Sequence, residues 1–264
     1  MTSSPRPLAL VTGASSGIGA DLARELARDG HDLVLAARSE APMKTLSTEV
    51  AAHRASAIVI PVDLNQPGAA AMLVSAIEAR GLTVDVLVNN AGLGAVGRFD
   101  EMDPLRLSEI LQVNIVALTE LTRLLLPGMV ARGRGRVMLV GSTAAFQPGP
   151  SQAVYFGTKA YVLSFGEAIA YELRRTGVTV TVLCPGPTAT NFAQVAGTSE
   201  LKFFNSAARQ VMSAATVARL GYRGLKAGRR VVITGPLNKI LATAGRFSPR
   251  AISLATASAL MSRR

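Results

Sequence analysis

Residues 12–19 read Thr-Gly-Ala-Ser-Ser-Gly-Ile-Gly and follow a short apolar run, Leu8–Val11. The run has the length of a buried strand, and an amphipathic segment, residues 17–29, begins inside the glycine stretch. Glycines between a strand and a helix permit a tight turn and a close backbone approach, and the amides of a helix N-terminus bind phosphate. This context predicts a dinucleotide-binding loop, although a plain tight turn would use the same glycines.

Apolar runs and amphipathic segments continue to alternate along the chain. Seven segments are predicted to be strands, several of them near-continuous apolar runs: Leu8–Thr12, Asp32–Ala36, Ala57–Val62, Val84–Asn89, Arg136–Val140, Thr179–Leu183 and Arg229–Thr234. Six segments between them are predicted to be helices: 17–29, 40–53, 67–80, 103–131, 152–175 and 213–226. This alternation predicts an α/β fold, a doubly wound parallel sheet (Rossmann fold) with helices on both faces and right-handed crossovers.

No Pro/Ser-rich linker divides the chain, so residues 1–235 are assigned to one dinucleotide-binding and catalytic domain. The longest stretch without a periodic pattern, residues 188–212, is interpreted as a lid over the site. Residues 236–264 are interpreted as a basic C-terminal helical extension.

Composition excludes several classes of protein. Of the 264 residues, 49% are hydrophobic and 17% are charged, which excludes a disordered chain. Cys184 is the single cysteine and is interpreted as a small buried hydrophobe, so an internal disulfide is excluded. With two histidines, His31 and His53, no metal site is predicted. The absence of tryptophan argues against a stacking platform for nucleic acid.

The N-terminal apolar run is too short for a signal peptide, and no run of about 18 apolar residues is uninterrupted. We therefore expect a cytoplasmic protein without a membrane span.

The charge is concentrated in the last quarter of the chain. The protein has 28 Lys and Arg against 17 Asp and Glu, and residues 201–264 hold 12 of the basic residues and none of the acidic ones. Three interpretations of the tail remain open. The favoured interpretation is that the tail packs on the domain or on a second subunit. The alternatives are that it lies on an anionic membrane surface or that it binds an acidic partner. Nucleic acid is not expected as a partner.

The end of the second predicted strand bears on the choice of cofactor. An acidic residue there typically binds the ribose of NAD, but residues 35–39 read Leu-Ala-Ala-Arg-Ser. Arg38 could clamp the 2′-phosphate of NADP, or it could be a solvated loop residue. NADP is therefore predicted over NAD. Asp63, followed by Leu64, ends the third strand and either faces the adenine or caps the next turn.

A second group of residues has the chemistry for proton transfer. Tyr155 and Lys159 are four residues apart, which places them on one helix face, and a nearby ammonium is expected to lower the pKa of the tyrosine. Ser142 follows the fifth strand and can donate to a substrate oxygen. Asn114 interrupts an apolar helix, either as a satisfied core amide or as a water-binding kink. Residues 89–92, Asn-Asn-Ala-Gly, end the fourth strand beside the cofactor.

Together these motifs resemble the short-chain dehydrogenase/reductase family in order and spacing. The resemblance rests on Thr12–Gly19, Asn89–Gly92, Asn114, Ser142, Tyr155, Lys159 and Pro185–Thr190, and it covers about residues 8–235. The glycine spacing is similar to that of the compact branch of the family. The extension after the last strand resembles the DltE-like group of reductases, whose substrates are poorly defined.

The resemblance implies a role for each matching residue. Tyr155 would be the general acid/base, Lys159 would lower its pKa, Ser142 would polarise the substrate carbonyl and Asn114 would anchor a relay water. The expected cofactor-binding set is Gly13, Ser15, Ser16, Gly17, Ile18, Gly19, Arg38, Asp63, Leu64, Asn90, Ala91, Gly92, Tyr155, Lys159, Pro185, Gly186, Thr188 and Thr190. The resemblance further implies a homodimer or homotetramer with helices 103–131 and 152–175 at the interface.

The predicted function is hydride transfer between NADP and a ketone, aldehyde or secondary alcohol. The lid candidate Asn191–Met212 carries Phe192, Leu201, Phe203 and Phe204, so an apolar substrate is favoured, although Lys202 and Arg209 could reach an anion. The alternative is a non-catalytic dinucleotide-binding scaffold or regulatory protein, possibly peripheral to a membrane. The presence of Ser142, Tyr155 and Lys159 together favours the enzyme.

Overall fold

The computed structural model describes residues 6–192, 196–197, 211–247, 249, 251, 254–255 and 257–258. Its strands are β1 (Leu8–Thr12), β2 (Asp32–Ala37), β3 (Ala57–Pro61), β4 (Val84–Asn89), β5 (Gly135–Val140), β6 (Val178–Cys184), β7 (Thr188–Ala189), β8 (Met212–Ser213) and β9 (Val231–Ile233). Within the described residues, seven strands form a parallel sheet in the order β3-β2-β1-β4-β5-β6-β9, and β7 pairs with β8. The predicted parallel sheet is confirmed.

Helices cover both faces of this sheet. They are α1 (Gly17–Arg28), α2 (Glu40–Ala51), α3 (Ala69–Glu78), α4 (Pro104–Leu111), α5 (Leu118–Ala131), α6 (Ala153–Glu172), α7 (Ala214–Lys226) and α8 (Pro236–Phe247). Buried side chains of α1, α2 and α7 form one apolar cluster, and those of α3, α5 and α6 form a second cluster across the sheet.

The strands are apolar because both of their faces are buried. In β1 all five residues are buried. Ala9 and Val11 belong to the cluster with α1, whereas Leu8 and Leu10 belong to the cluster with α3. Successive side chains of a strand point to opposite faces, so a strand between two helical layers needs apolar residues at every position.

The connectivity places a crevice at one edge of the sheet. The chain leaves β1 towards β2 and β3 on one side and then crosses to β4 on the other side. Ligands of open α/β sheets bind beyond the carboxyl ends of the strands at such a switch point. The glycine stretch after β1 and the Asn-Ala-Gly residues after β4 both lie at this edge.

The structure departs from the predicted elements in three places. The predicted helix 103–131 is divided by a π-helical stretch, Gln112–Ala117, because Asn114 in its middle bonds to a neighbouring loop. The β7–β8 pair was not predicted, since two-residue strands carry no readable alternation. Strand β9 is shorter than the predicted 229–234, because Arg229 and Arg230 are exposed.

Among the described helices, one passes a length and composition test for crossing a membrane. It runs continuously over Pro104–Ala131, including the π-helical stretch. Its second half, α5, packs against β4, β5 and α3, as the core helix of an α/β domain does. This packing accounts for part of the apolar composition of the helix, of which 39% of the tested window is buried.

Candidate active site

The loop after β1 has the geometry of an anion cradle. Gly13 and Gly17 have φ angles of 64° and 55°, which favour glycine. A Cβ atom on Gly19 would collide with the Gly13 carbonyl and with Asn90. Helix α1 has no acidic residue in its first turn, and the exposed Ser16 makes no side-chain cap. The Ser16 side chain therefore accepts no hydrogen bond from the first backbone amides of α1, and these amides are available to bind an anion.

Asn90 locks this loop to the end of β4. Its side-chain amide donates to the carbonyls of Thr12, at 2.9 Å, and Gly13, at 3.2 Å. The Thr12 hydroxyl in turn accepts from the backbone amides of Asn90 and Ala91 and donates to the carbonyl of Val88. The Asn90 side chain thus supports the loop, and its partners within the described chain are backbone groups.

Ser142, Tyr155 and Lys159 come together beside this loop. Ser142 follows β5, and its hydroxyl accepts from the amide of Ala144 and is hydrogen-bonded to Tyr155. Lys159 is buried one helical turn after Tyr155, and its Nζ donates to the carbonyl of Val140 at 2.8 Å. The same Nζ lies 5.7 Å from the centre of the Tyr155 ring. The three side chains are therefore brought to one site, as the sequence predicted.

Burial changes the acid–base properties of both residues on α6. It raises the pKa of Tyr155 to about 12, although the hydrogen bond with Ser142 acts in the opposite direction. It lowers the pKa of Lys159 to about 8. The expectation of a lowered Tyr155 pKa is therefore wrong for the protein alone, because loss of solvation of the phenolate dominates. At neutral pH Tyr155 is a protonated hydroxyl and thus a proton donor.

Asn114 is a satisfied core amide within the π-helical stretch. Its Oδ1 accepts from the amide of Leu93 at 2.8 Å, and its Nδ2 donates to the carbonyl of Leu93 and to the hydroxyl of Thr158. The interpretation as a satisfied core amide is confirmed, and the water-binding role stays a prediction; the residue lies in the π-helical stretch.

The residues predicted to bind the adenosine half lie after β2 and β3. Arg38 is exposed at the end of β2, and among the described residues it has no ion-pair partner. The carboxylate of Asp63 accepts from the amide of Asn65 at 3.1 Å, so it caps the following turn. The side chain of Leu64 is buried in the core, which leaves its backbone for the groove. Ser15 and Ile18 are half-buried in the glycine loop.

The segment after β6 closes the far side of the groove. The Pro185 carbonyl accepts from the amide of Thr143, which ties this segment to the turn after Ser142. Thr188 is buried and donates to the carbonyl of Gly186. Thr190 packs on Gly17 of the glycine loop. On the near side, Gly92 lies against Asn114 and Lys159.

Phe192, near the start of the lid candidate, packs on Tyr155. Its ring centre lies 5.6 Å from that of Tyr155, and the ring also lies over Gly94. Most of the lid candidate, including Leu201, Lys202, Phe203, Phe204 and Arg209, lies outside the described residues.

The site residues fit a dinucleotide. The glycine cradle and the first turn of α1 suit a pyrophosphate, and the exposed Arg38 suits a negatively charged adenosine half. Metal chemistry finds no support in the described ranges, where no group of three His, Cys, Asp or Glu side chains could hold an ion. Cys184 is fully buried with a pKa raised to about 12, so its thiol stays protonated.

Three positioning residues were given no role of their own in the sequence analysis, although Thr12 opens the quoted glycine stretch. Thr12 joins the ends of β1 and β4, and its signal was a polar side chain ending an apolar strand. Thr158 donates to the Tyr155 carbonyl at 2.7 Å and accepts from Asn114. Arg106 donates to the Gly94 carbonyl beside Phe192. The last two have no local signal, since their partners are set by tertiary packing.

Comparison with known proteins agrees with this geometry. Residues 7–200 match the family model described as short chain dehydrogenase. The ketoacyl reductase HetN of Nostoc sp. is 31% identical over 258 residues, which cover 96% of this chain and 88% of that protein.

Two solved structures resemble the chain and differ in cofactor. A short-chain dehydrogenase from Sphingobium yanoikuyae in complex with NADPH is 28% identical, with a TM-score of 0.78, covering 90% of this chain and 92% of that one. A short-chain dehydrogenase/reductase from Burkholderia phymatum in complex with NAD is 26% identical, with a TM-score of 0.78, covering 92% and 94%. A nicotinamide cofactor is common to both.

Proposed function

The chain belongs to the short-chain dehydrogenase family and is an NAD(P)-dependent oxidoreductase, and we propose that it is a cytoplasmic, NADP-dependent reductase of apolar ketones or aldehydes. The observation that carries the proposal is the grouping of Ser142, protonated Tyr155 and buried Lys159 beside the glycine loop. The reverse reaction, oxidation of a secondary alcohol, uses the same groups.

Tyr155 supplies the proton of the reaction. A nicotinamide held in the groove would supply the hydride for the carbonyl carbon, and the carbonyl oxygen would then need a proton. Because the pKa of Tyr155 is raised to about 12, its hydroxyl keeps that proton at neutral pH until a strongly basic oxygen accepts it. Ser142, hydrogen-bonded to Tyr155, orients the carbonyl oxygen towards the same hydroxyl.

Lys159 and the π-helical stretch around Asn114 support this proton transfer. The Lys159 Nζ is held by the Val140 carbonyl, so its charge stays fixed near the Tyr155 ring. A positive charge there stabilises the phenolate left after the proton has moved. The π-helical stretch around Asn114 lies on the Gly92 side of Lys159, where a water held by the backbone would return a proton to the site.

An apolar substrate is favoured by what surrounds Tyr155. The tyrosine contacts the rings of Phe156 and Phe192, and partly buried Val96 packs on the same small cluster. A substrate carbonyl that reaches Tyr155 therefore passes between apolar side chains. The similar HetN protein is named a ketoacyl reductase, which agrees with a carbonyl on an apolar chain.

Arg38 carries the preference for NADP. It is exposed at the carboxyl end of β2, and no acidic residue occurs in the stretch Leu35–Ser39. An unpaired guanidinium binds a phosphate through charge-assisted, bidentate hydrogen bonds.

Replacing Arg38 by Asp is expected to weaken NADPH binding by about 10- to 100-fold, since a charge-assisted hydrogen bond is worth roughly 1.5–3 kcal/mol. NADH binding is expected to hold or improve, because a carboxylate there accepts from the ribose hydroxyl. Fluorescence titration of both cofactors measures the change. Arg219→Asp, at an exposed position on α7, is the matched control. If the ratio of the NADPH and NADH dissociation constants is unchanged, Arg38 does not determine the cofactor preference.

Turnover with a panel of apolar ketones and aldehydes tests the function itself. NADPH oxidation by the purified protein is expected with at least one panel member, and no oxidation is expected without a carbonyl. Tight NADPH binding with no turnover on an extended panel would favour the scaffold alternative. Failure to bind either cofactor would overturn the interpretation of the glycine loop.

We further propose a homodimer or homotetramer that uses the helices predicted for the interface, 103–131 and 152–175. Leu111 and Leu124 on the first of these and Tyr171 on the second leave apolar surface exposed. Pairing with a second copy would cover such surface. Sedimentation of the purified protein measures the oligomeric state, and a monomer at all concentrations would exclude this assembly.

A further inference from the structure

Helix α8 presents an apolar face that the described residues leave uncovered. Leu237, Ile240, Leu241 and Ala244 follow the i, i+3, i+4, i+7 spacing of one helix face, and all four are exposed. Ile240 is 63% exposed and Leu241 is 57% exposed. This apolar face is therefore separate from the side on which the helix packs.

The opposite side of α8 is fixed to the domain near the active site. Ala242 is buried, and the side chain of Asn238 donates to the carbonyl of Thr234 at 2.7 Å. Asn238 also lies directly over Gly186, and α8 packs against the turn Thr143–Phe146 that follows Ser142. The apolar face is thus held rigidly beside the catalytic edge of the sheet.

The C-terminal part of the sequence carries charge of one sign. Residues 236–264 hold five Lys or Arg and no Asp or Glu. Lys239 is exposed on the same side of α8 as Ile240, Thr243 and Ala244. An ammonium and apolar side chains therefore lie next to each other on this face, which suits a surface with anionic groups above a hydrocarbon layer.

We propose that the exposed face of α8, formed by Leu237, Ile240, Leu241 and Ala244, docks the protein on an anionic lipid membrane. The apolar side chains enter the interface, and the basic tail is attracted by the lipid phosphates. Because α8 adjoins the turn after Ser142, docking brings the entrance of the active site to the surface where an apolar substrate would be dissolved.

Vesicle sedimentation of the full chain tests this directly. The native protein is expected to sediment with vesicles that contain phosphatidylglycerol, and to do so less with pure phosphatidylcholine vesicles or at high salt. Ile240→Asp is expected to weaken binding to the anionic vesicles at least about tenfold. The variant loses a side chain that would be buried in the lipid and gains a negative charge that the lipid phosphates repel. Met72→Asp, at a 60% exposed position on α3, is the matched control and is expected to bind as the native protein does.

Several results would overturn the proposal. These are no binding of the native protein to anionic vesicles at low salt, equal binding by the Ile240→Asp variant, or an equal loss in Met72→Asp. If Ile240→Asp instead separates an oligomer without changing vesicle binding, the face is a contact between two copies of the chain. NADPH titration of each variant confirms its fold, and these outcomes leave the proposed reductase function untouched.

Discussion

Replacing Tyr155 by Phe is expected to lower kcat for carbonyl reduction by about 10²- to 10⁴-fold, the usual contribution of a positioned general acid. The variant keeps the ring, and with it the contacts with Phe156 and Phe192, but it removes the hydroxyl whose pKa is raised to about 12. Ser142 still orients the carbonyl oxygen, but it does not replace Tyr155 as the proton donor. The rate of NADPH oxidation at saturating ketone measures the loss.

The same helix offers a matched control for this change. Tyr171→Phe removes a hydroxyl from a side chain of α6 that is 61% exposed and is expected to leave turnover unchanged. NADPH affinity is expected to fall by no more than about tenfold in Tyr155→Phe, since at most one hydrogen bond to the cofactor is lost while the glycine loop and Lys159 are untouched, and it is expected to stay unchanged in Tyr171→Phe. A Tyr155→Phe variant that reduces ketones as fast as the native protein would show that the proton comes from another group.

The parts of the structure that could be predicted from sequence are those encoded by neighbouring residues. Near-continuous apolar runs located the strands of the main sheet, and the glycine spacing located the loop after β1. Tyr155 and Lys159 share a helix face by their spacing alone. Their common site with Ser142 was expected from family resemblance and from the rule that ligands bind at the carboxyl ends of parallel strands.

The features that could not be predicted depend on residues far apart in the chain. Asn114 bonds to Leu93, 21 residues away, and to Thr158, 44 residues away, and these contacts decide between a plain helix and a π-helical stretch. The sequence left two roles open for Asp63; its bond to the Asn65 amide shows that it caps the turn, and the role facing the adenine stays a prediction. The pKa of Tyr155 was expected to fall, because the spacing shows the lysine but not the burial of the hydroxyl.

The C-terminal tail is a further case in which the sequence predicted the helix but not how it packs. Its composition predicted a basic helical segment, and α8 is helical over Pro236–Phe247. Composition alone did not show which side packs on the domain. The small Ala242 faces the protein, whereas the larger Ile240 and Leu241 face outwards. This arrangement is the reverse of what burial of apolar area alone would favour, so an external surface is the natural partner for the larger side chains.

Replacing Gly19 by Ala is expected to weaken NADPH binding by at least about tenfold and to lower Tm by about 2–12 °C. The added Cβ would collide with the Gly13 carbonyl and with the Asn90 amide. Neither can yield freely, since Asn90 is hydrogen-bonded to both Thr12 and Gly13. Overpacking of this kind costs roughly 1–3 kcal/mol, and relief by movement of the loop would displace the amides that hold the pyrophosphate.

Gly157→Ala separates this steric effect from a general effect of adding a methyl group. Gly157 is an exposed helical residue of α6, and a Cβ there meets no atom within 4 Å. Alanine is the better helix former, so this variant is expected to keep NADPH affinity and to match or exceed the native Tm. Cofactor titration and thermal unfolding of both variants make the comparison. The Gly19 contacts lie where the loop after β1 meets Asn90, which follows β4. If Gly19→Ala binds NADPH as tightly as the native protein, these two segments are not held together when the cofactor binds.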